Sequence, residues 1–422
     1  MSKKRKNKKA AQQSPGGYKR FLRDLYATLQ LLGIENQYFA LSNESKRYLF
    51  RLQIKIRNPE AASRLVFPKD LKRINERARR FYKSAAVPLD DKVNLSCYQL
   101  WMLYSYYSEI KKIEKKKGIG EGREGEYSKK AHDFLRLFLN RLSAFYYTAL
   151  LESCNPAIKY LSVKFGFAEI NKKDPRMELI IQISAVPAIK KSIVIGGINR
   201  PAFRIGVPGW GGDGVKWVSI KTSELEPWYH GKEKEIEVYI QSHALIRMNQ
   251  RLDLMSQEYI NFALWENTAV IRRRFIFYRN YLLLPFKLHD IKIGYLAGKI
   301  VDDKLLFRTF LFITHNCTPE GDKLKELSGL TKEDVRYWGI DRLSAFMRLD
   351  EEKNPELVRI FAEAGISDIF KLKVKAFDQE AREPESLAGL EDYIHKNQEA
   401  SRLNTEFIFD NIENDDGELA MP

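Results

Sequence analysis

Apolar residues recur every three or four positions over residues 18–155, the period of an amphipathic helix. The first such segment has Phe21 and Leu25 on one face, with charged residues between them. Two longer helices are predicted over about 95–116 and 128–153, joined by a charged, glycine-rich connector. The pattern therefore predicts a helical N-terminal domain.

The period changes after Pro156 to short β-branched or aromatic runs bounded by turn-forming residues, which is typical of strands. These runs predict an antiparallel region with strands over 158–167, 177–186, 192–198, 203–207, 215–220 and 236–241. A short helix is predicted near 243–263. Three longer strands then follow, over 274–286, 291–301 and 305–315. Asp302 and Asp303 are predicted to form the tight turn between the last two of these strands.

Together these patterns predict an α+β fold. A helical N-terminal domain and a helical C-terminal segment flank a central antiparallel β-rich region. The predicted segments are a disordered basic arm (1–17), a helical domain (18–155), a β-rich domain (156–325), a helical segment (326–400) and an acidic tail (401–422).

Aromatic residues are concentrated in the predicted helix over 95–116, at Trp101, Tyr104, Tyr106 and Tyr107. They could form a platform on which nucleobases stack. Aromatic residues at helical spacing more often pack in a core, however. We therefore predict that these four side chains belong to the core of the helical domain.

The net charge of +16 points to a polyanionic partner. Residues 1–20 contain eight lysines or arginines and no acid, whereas residues 401–422 contain six acids and one arginine. RNA is the predicted partner, with Lys3, Lys4 and Arg5 contacting phosphates. The alternative for this arm is a solubilising tail, and its composition also resembles a nuclear localisation signal.

Several classes of protein are excluded by what the sequence lacks. No apolar run approaches the roughly 20 residues that span a bilayer, and no apolar segment follows the basic N-terminus as a secretory signal requires. We therefore expect a cytoplasmic protein that does not contact a membrane. The three cysteines are far apart, and no two of the six histidines have metal-binding spacing, so we expect no disulfide, metal or cofactor.

The segment after the predicted strand over 236–241 is the strongest candidate for chemistry. Ser242 is a predicted N-cap, and His243, Arg247 and either Gln250 or Arg251 share one face of the helix that follows. A helix N-terminus attracts anions, and an arginine fork matches two phosphate oxygens. The pattern indicates a phosphate site.

This Ser-His-Ala opening, followed by an arginine and then Gln-Arg-Leu, resembles the signature helix of small toxins of the RelE/ParE superfamily. The resemblance covers residues 235–325 and extends to the run from Phe312 to Asn316 at the end of the last predicted strand. It implies a toxin-like helix and sheet, and metal-independent ribonuclease activity. The implied catalytic acid or base is His243 or His315, and the implied phosphate clamp is Arg247, Arg251 and Arg308. A ribosome or an inhibitory protein is an implied partner.

Two other hypotheses remain open from the sequence. The chain could be a non-catalytic RNA- or ribosome-binding protein, or a scaffold for protein interactions. The histidine and arginine stripe could equally be a solvated helix face. Arg273 and Arg274 could contact backbone phosphates or belong to a basic surface without a ligand.

Overall fold

The fold is known from a computed structural model. The structure describes residues 15–84, 87–89, 93–116, 121–171, 174–209, 214–226, 228–229, 231–270, 274–372, 390 and 393–395. The predictions for Lys3, Lys4, Arg5, Arg273 and the acidic tail lie outside these residues. Helices at both ends of the described chain and mixed sheets between them confirm the α+β class. No helix in the described part combines the length and apolar composition needed to cross a membrane.

The chain forms two compact units. The first comprises residues 1–150, 161–186 and 208–214, and the second comprises residues 151–160, 187–207 and 215–422. Helices of the first region are α1 (Pro15–Leu31), α2 (Asn36–Phe39), α3 (Asn43–Arg51), α4 (Pro68–Ser84), α5 (Cys97–Lys116) and α6 (Glu121–Ser153). Its strands are β1 (Lys55–Ile56), β2 (Glu60–Ala61), β3 (Val87–Pro88), β4 (Asn94–Leu95), β5 (Lys159–Asn171) and β6 (Asp174–Pro187).

Helix α6 begins well before the start predicted at residue 128. The glycines of the connector predicted a loop here. The helix is instead supported by an ion pair between residues one helical turn apart, in which Lys130 Nζ lies 2.7 Å from a Glu126 oxygen. In α5, Trp101, Tyr106 and Tyr107 are buried, which confirms the core assignment. The half-buried Tyr104 packs against Trp101, with ring centroids 5.1 Å apart.

The second unit is built on an eight-stranded sheet. Its strand order is β13-β14-β15-β16-β12-β8-β7, and β11 also pairs with β12. Strands of this region are β7 (Lys190–Ile195), β8 (Ile198–Arg204), β9 (Gly206–Pro208), β10 (Val215–Trp217), β11 (Ser219–Lys221), β12 (Glu235–Gln241), β13 (Ile276–Tyr278), β14 (Tyr281–Leu288), β15 (Ile291–Val301) and β16 (Lys304–Phe312). All of the pairs in this sheet are antiparallel except β12 with β16, which is parallel.

Two-residue turns connect the last four strands. Asp302 and Asp303 have φ values of 45° and 56°, which confirms the predicted turn. The prediction of one strand over 274–286 is wrong, because Arg279 and Asn280 also adopt positive φ and form a turn between β13 and β14. Asparagine tolerates this left-handed conformation better than most residues, so the chain reverses inside an apolar run.

One face of the sheet is covered by helices. They are α7 (Ser242–Arg251), α8 (Gln257–Trp265), α9 (Pro319–Ser328), α10 (Lys332–Tyr337), α11 (Leu343–Arg348) and α12 (Pro355–Glu363). Shorter helical turns cover Thr222–Leu225, Glu266–Val270 and Ser367–Lys371. The main core lies between these helices and the sheet. Among the described residues, the opposite face carries two small apolar clusters.

The predicted helix near 243–263 is two helices in the structure. Helix α7 ends at Arg251, and Ser256 caps the start of α8 by accepting a hydrogen bond from the Tyr259 amide at 3.3 Å. The predicted N-cap of α7 is wrong by one residue, because Gln241 occupies the cap and Ser242 is already helical.

Candidate functional site

The parallel pair at the centre of the sheet brings two distant segments together. Ile240 of β12 lies opposite Phe307 of β16, and both strands run in the same direction. Their carboxyl ends therefore share one edge of the sheet, where β12 leads into α7 and β16 leads into the loop over 313–318. As a result His243 and His315, which are far apart in the sequence, line one cleft of about 420 Å³.

The cleft is strongly cationic. Two of its arginines, Arg247 and Arg251, come from the face of α7 that the sequence singled out, and Arg308 comes from β16. The six basic residues that line it are Arg200, Arg247, Arg251, Arg308, Lys332 and Arg336. Asp341 is the one carboxylate among the described lining residues. Arg274 is exposed and does not line the cleft.

A β-bulge presents Arg308 to the cleft. Gly298 of β15 pairs with Phe307 and Ala297 pairs with Thr309, so Arg308 is the extra residue of the bulge. Phe307 and Phe310 both pack in the main core although they lie three residues apart. The bulge shifts the alternation of side chains, which leaves Arg308 and the next residue on the cleft side.

Arg251 differs from the other basic residues because its charge is compensated inside the protein. Its guanidinium forms an ion pair with the carboxylate of Asp341, and the two side chains are 16% and 6% exposed. Burial, followed by the positive charges of Arg247 and Arg342, lowers the pKa of Arg251 to about 10. Arginine remains charged at neutral pH even so, and the pair fixes Arg251 at the wall of the cleft.

The remaining basic residues have no such partner. Arg200, Arg308, Lys332 and Arg336 form no ion pair with any carboxylate in the part of the chain that the structure describes. Arg247 donates a hydrogen bond to the neutral side chain of Gln250 at 2.9 Å. Five cations around one cleft repel each other, so a bound anion would relieve that repulsion.

Both histidines in the cleft are neutral at pH 7. Burial, followed by the charges of Lys332 and Arg251, lowers the pKa of His315 to about 4. Loss of solvent, followed by the charges of Arg247 and Arg200, lowers the pKa of His243 as well. His315 Nδ1 accepts a hydrogen bond from the Cys317 amide at 3.1 Å, so its neutral ring carries the proton on Nε2.

Close backbone packing positions His315. The Thr314 hydroxyl donates to the Ile340 carbonyl at 2.8 Å, and the Thr318 hydroxyl caps α9 by accepting from the Gly321 amide at 3.0 Å. A Cβ atom at Gly321 would lie 2.1 Å from the His315 carbonyl oxygen, so only glycine fits there. The loop that carries His315 is therefore held on both sides.

Gln241 contributes a polar group that lacks a partner inside the protein. Its side chain is 3% exposed, and its buried Nε2 atom makes no hydrogen bond within the described structure. The buried Nε atom of Arg308 also has none. An unsatisfied buried donor costs about 1–3 kcal/mol, so a ligand that accepts these hydrogen bonds would recover that free energy.

Sequence reasoning missed most of the remaining lining residues of the cleft, including Tyr281 and five residues with charged or amide side chains. The only local signal was the spacing of four between Lys332 and Arg336, which places both on one face of α10. Arg200 and Asp341 come from segments that only the tertiary fold brings near α7. The five with charged or amide side chains are Arg200, Gln241, Lys332, Arg336 and Asp341.

The described residues contain no group of three or more histidine, cysteine, aspartate or glutamate side chains that could hold a metal ion. Comparison of the chain with protein families, curated proteins and solved structures finds no match.

Proposed function

We propose that this protein binds RNA and holds backbone phosphates in the cationic cleft. The observation that carries the proposal is the convergence of five cations without an acidic partner on a cleft whose single described carboxylate pairs with Arg251. Guanidinium forks bind two phosphate oxygens at once, and charge-assisted bonds of this kind are about twice as strong as neutral ones.

The rest of the chain supports a polymeric anion over a small one. The net charge of +16 exceeds what one phosphate requires, so several phosphates can be neutralised along a strand. The resemblance of residues 235–325 to RelE/ParE toxins favours RNA among the polyanions. It also predicts a ribosome or an inhibitory protein as further partners, and either would compete with free RNA if it occupied the cleft.

Salt dependence of binding tests this function. A fluorescein-labelled single-stranded RNA should bind with an affinity that falls steeply with salt, by a slope of about −0.7 for each phosphate neutralised. Arg336→Ala removes an exposed cation of the cleft and should reduce that slope by about one phosphate. Arg359→Ala is the matched control, because Arg359 pairs with Glu356 and Glu363 outside the cleft. Binding that ignores salt, or that responds equally to both substitutions, would refute the proposal.

His243 favours a second function, metal-independent RNA cleavage. Its imidazole makes no hydrogen bond within the described residues and is in the neutral form that can accept a proton. We propose that it takes the proton of a 2′-hydroxyl while that oxygen attacks the adjacent phosphorus. The bond from phosphorus to the 5′ oxygen breaks, the leaving oxygen takes a proton from water, and a 2′,3′-cyclic phosphate remains.

His315 has a different role in this proposal. Its Nδ1 atom already accepts the Cys317 amide, so Nε2–H can donate to a phosphate oxygen but cannot accept a proton. In excess chelator, His243→Gln should lower the cleavage rate by about 10²- to 10⁴-fold. His315→Asn should lower it less. Salt-sensitive binding without any cleavage by the wild type would retain the binding function and exclude the catalytic one.

A further inference from the structure

The cleft has an uncharged side as well as a cationic one. Tyr281, Ala297, Leu311 and Cys317 all line it. They belong to a small apolar cluster on the face of the sheet opposite the main core. The helices that bury the main core do not contribute to this cluster. The tyrosine ring is half-buried, so part of an aromatic surface remains open in the cleft.

Strand pairing explains why there is space beside this ring. Leu283, two residues after Tyr281 on β14, lies opposite Ala297, and Ala297 in turn lies opposite Thr309. Side chains two apart on a strand share a face, so the tyrosine stands beside a row that contains small side chains. Lys299 is not a lining residue of the cleft, and its Nζ atom lies over one face of the tyrosine ring, 5.0 Å from the ring centre, so a base would stack on the other face.

We infer that this uncharged side seats an unpaired nucleobase, stacked on Tyr281, of the RNA strand whose phosphate occupies the cationic side. The inference rests on the proposed function, because it requires a phosphate in the same cleft. One nucleotide joins a flat, weakly polar base to a charged phosphate, which matches the two sides of the cleft.

Single-stranded RNA is therefore the substrate class. In a duplex each base is already stacked and paired, and only an unpaired base can turn onto a protein ring. Stacking on an aromatic side chain depends little on which base is present, so the site should accept several sequences.

Binding of an intact and an abasic oligonucleotide tests the inference. The probes are a fluorescein-labelled 2′-O-methyl pentauridylate, which cannot be cleaved through its 2′ oxygen, and the same backbone without any bases. The intact probe should bind wild type with a dissociation constant at least tenfold lower than that of the abasic probe. In Tyr281→Ala that ratio should fall to near one, and in Tyr281→Phe, which keeps the ring, it should persist.

Tyr337→Ala is the matched control, because Tyr337 is 83% exposed and does not line the cleft. It should leave the ratio of the two dissociation constants unchanged. Equal binding of both probes to wild type, or the same ratio in Tyr281→Ala, overturns the nucleobase site while the phosphate site stands. Failure of both probes to show salt-sensitive binding overturns the proposed function together with this inference.

Discussion

The two faces of the eight-stranded sheet differ in what covers them. On one face, helices α7 to α12 bury a continuous core that includes Phe286, Phe307 and Phe312, each about 1% exposed or less. The other face carries two small clusters among the described residues, and its side chains line the cleft together with those of helices α7 and α10. Five cations of this cleft have no acidic partner within the described part of the chain. The same strands therefore contribute alternate side chains to a core and to a charged site.

Because alternate side chains of one strand lie on opposite faces, residues that stabilise the fold and residues that bind a ligand can be neighbours in the sequence. Burial of apolar surface drives folding, whereas cations gathered without acids oppose it. The cations gathered at the cleft lower the stability of the fold by repelling each other, and a bound anion would offset this loss. Substitutions of buried core residues should therefore act through unfolding, and substitutions of the cleft cations that have no acidic partner should act through ligand affinity.

The largest effect is expected for Phe307→Ala, compared with the neighbouring change Arg308→Ala. The first leaves a cavity in the main core and should lower the free energy of unfolding by about 3–5 kcal/mol. The second should change it by less than about 1 kcal/mol and weaken RNA binding about tenfold, because a charge-assisted bond is lost. Denaturant unfolding and fluorescence anisotropy measure the two quantities. If Arg308→Ala destabilises the protein as much as Phe307→Ala, the two faces are not separable.

The hydrophobic pattern was sufficient for the class of the fold and for part of the site. The helical period predicted that His243 and Arg247 share a face, and the structure brings both to the cleft together with His315 and Arg308. Prediction was possible here because a helix face depends only on residues one turn apart.

The hydrophobic pattern could not predict which distant segments of the chain come together. The parallel pairing of β12 with β16 connects strands more than sixty residues apart, and nothing local specifies it. A trace of the bulge at Arg308 is visible in the sequence, where the apolar alternation changes phase between Phe307 and Phe310. The ion pair of Arg251 with Asp341 has no local signal, so the sequence assigned Arg251 to the phosphate clamp without its counter-ion.

A smaller loss of stability is expected for Asp341→Asn, which removes the negative charge that pairs with Arg251. The guanidinium would remain largely buried beside other cations, and removing one partner of a buried pair costs about 3–5 kcal/mol. Arg251 is 16% exposed, so water compensates for part of that loss. We expect about 2–3 kcal/mol at pH 7, measured by denaturant unfolding. Millimolar inorganic phosphate should stabilise this variant more than wild type, because an anion replaces the missing carboxylate.

The double variant Asp341→Asn with Arg251→Met provides the control. Removing both charges should recover most of the stability, since a buried pair replaced by neutral side chains of similar size is often tolerated. If the double variant is as unstable as Asp341→Asn alone, the loss comes from packing and not from the unpaired charge.

The smallest effect at neutral pH, and the most specific, is expected for His315→Asn. The folded pKa of His315 is about 4, below the ordinary value near 6.5, so the unfolded chain takes up a proton first as the pH falls. Stability from the neutral ring is thus fully present above about pH 6.5 and is lost progressively down to about pH 4, by about 3 kcal/mol. Asparagine keeps an acceptor for the Cys317 amide but does not titrate. The variant should therefore match wild type near pH 7 and lose about 3 kcal/mol less on going to pH 4.

Asn316→Ala is the control for this last change, because it alters the next residue of the same loop, which lines the cleft and carries no titratable group. It should leave the pH dependence of the free energy of unfolding unchanged. Saturating RNA should shrink the difference between wild type and His315→Asn at low pH, since phosphates near the ring stabilise its protonated form. An identical pH profile for wild type and His315→Asn, with or without RNA, would show that burial and the surrounding cations do not hold His315 neutral. The charge contrast between the core and the cleft would then be weaker than the structure implies.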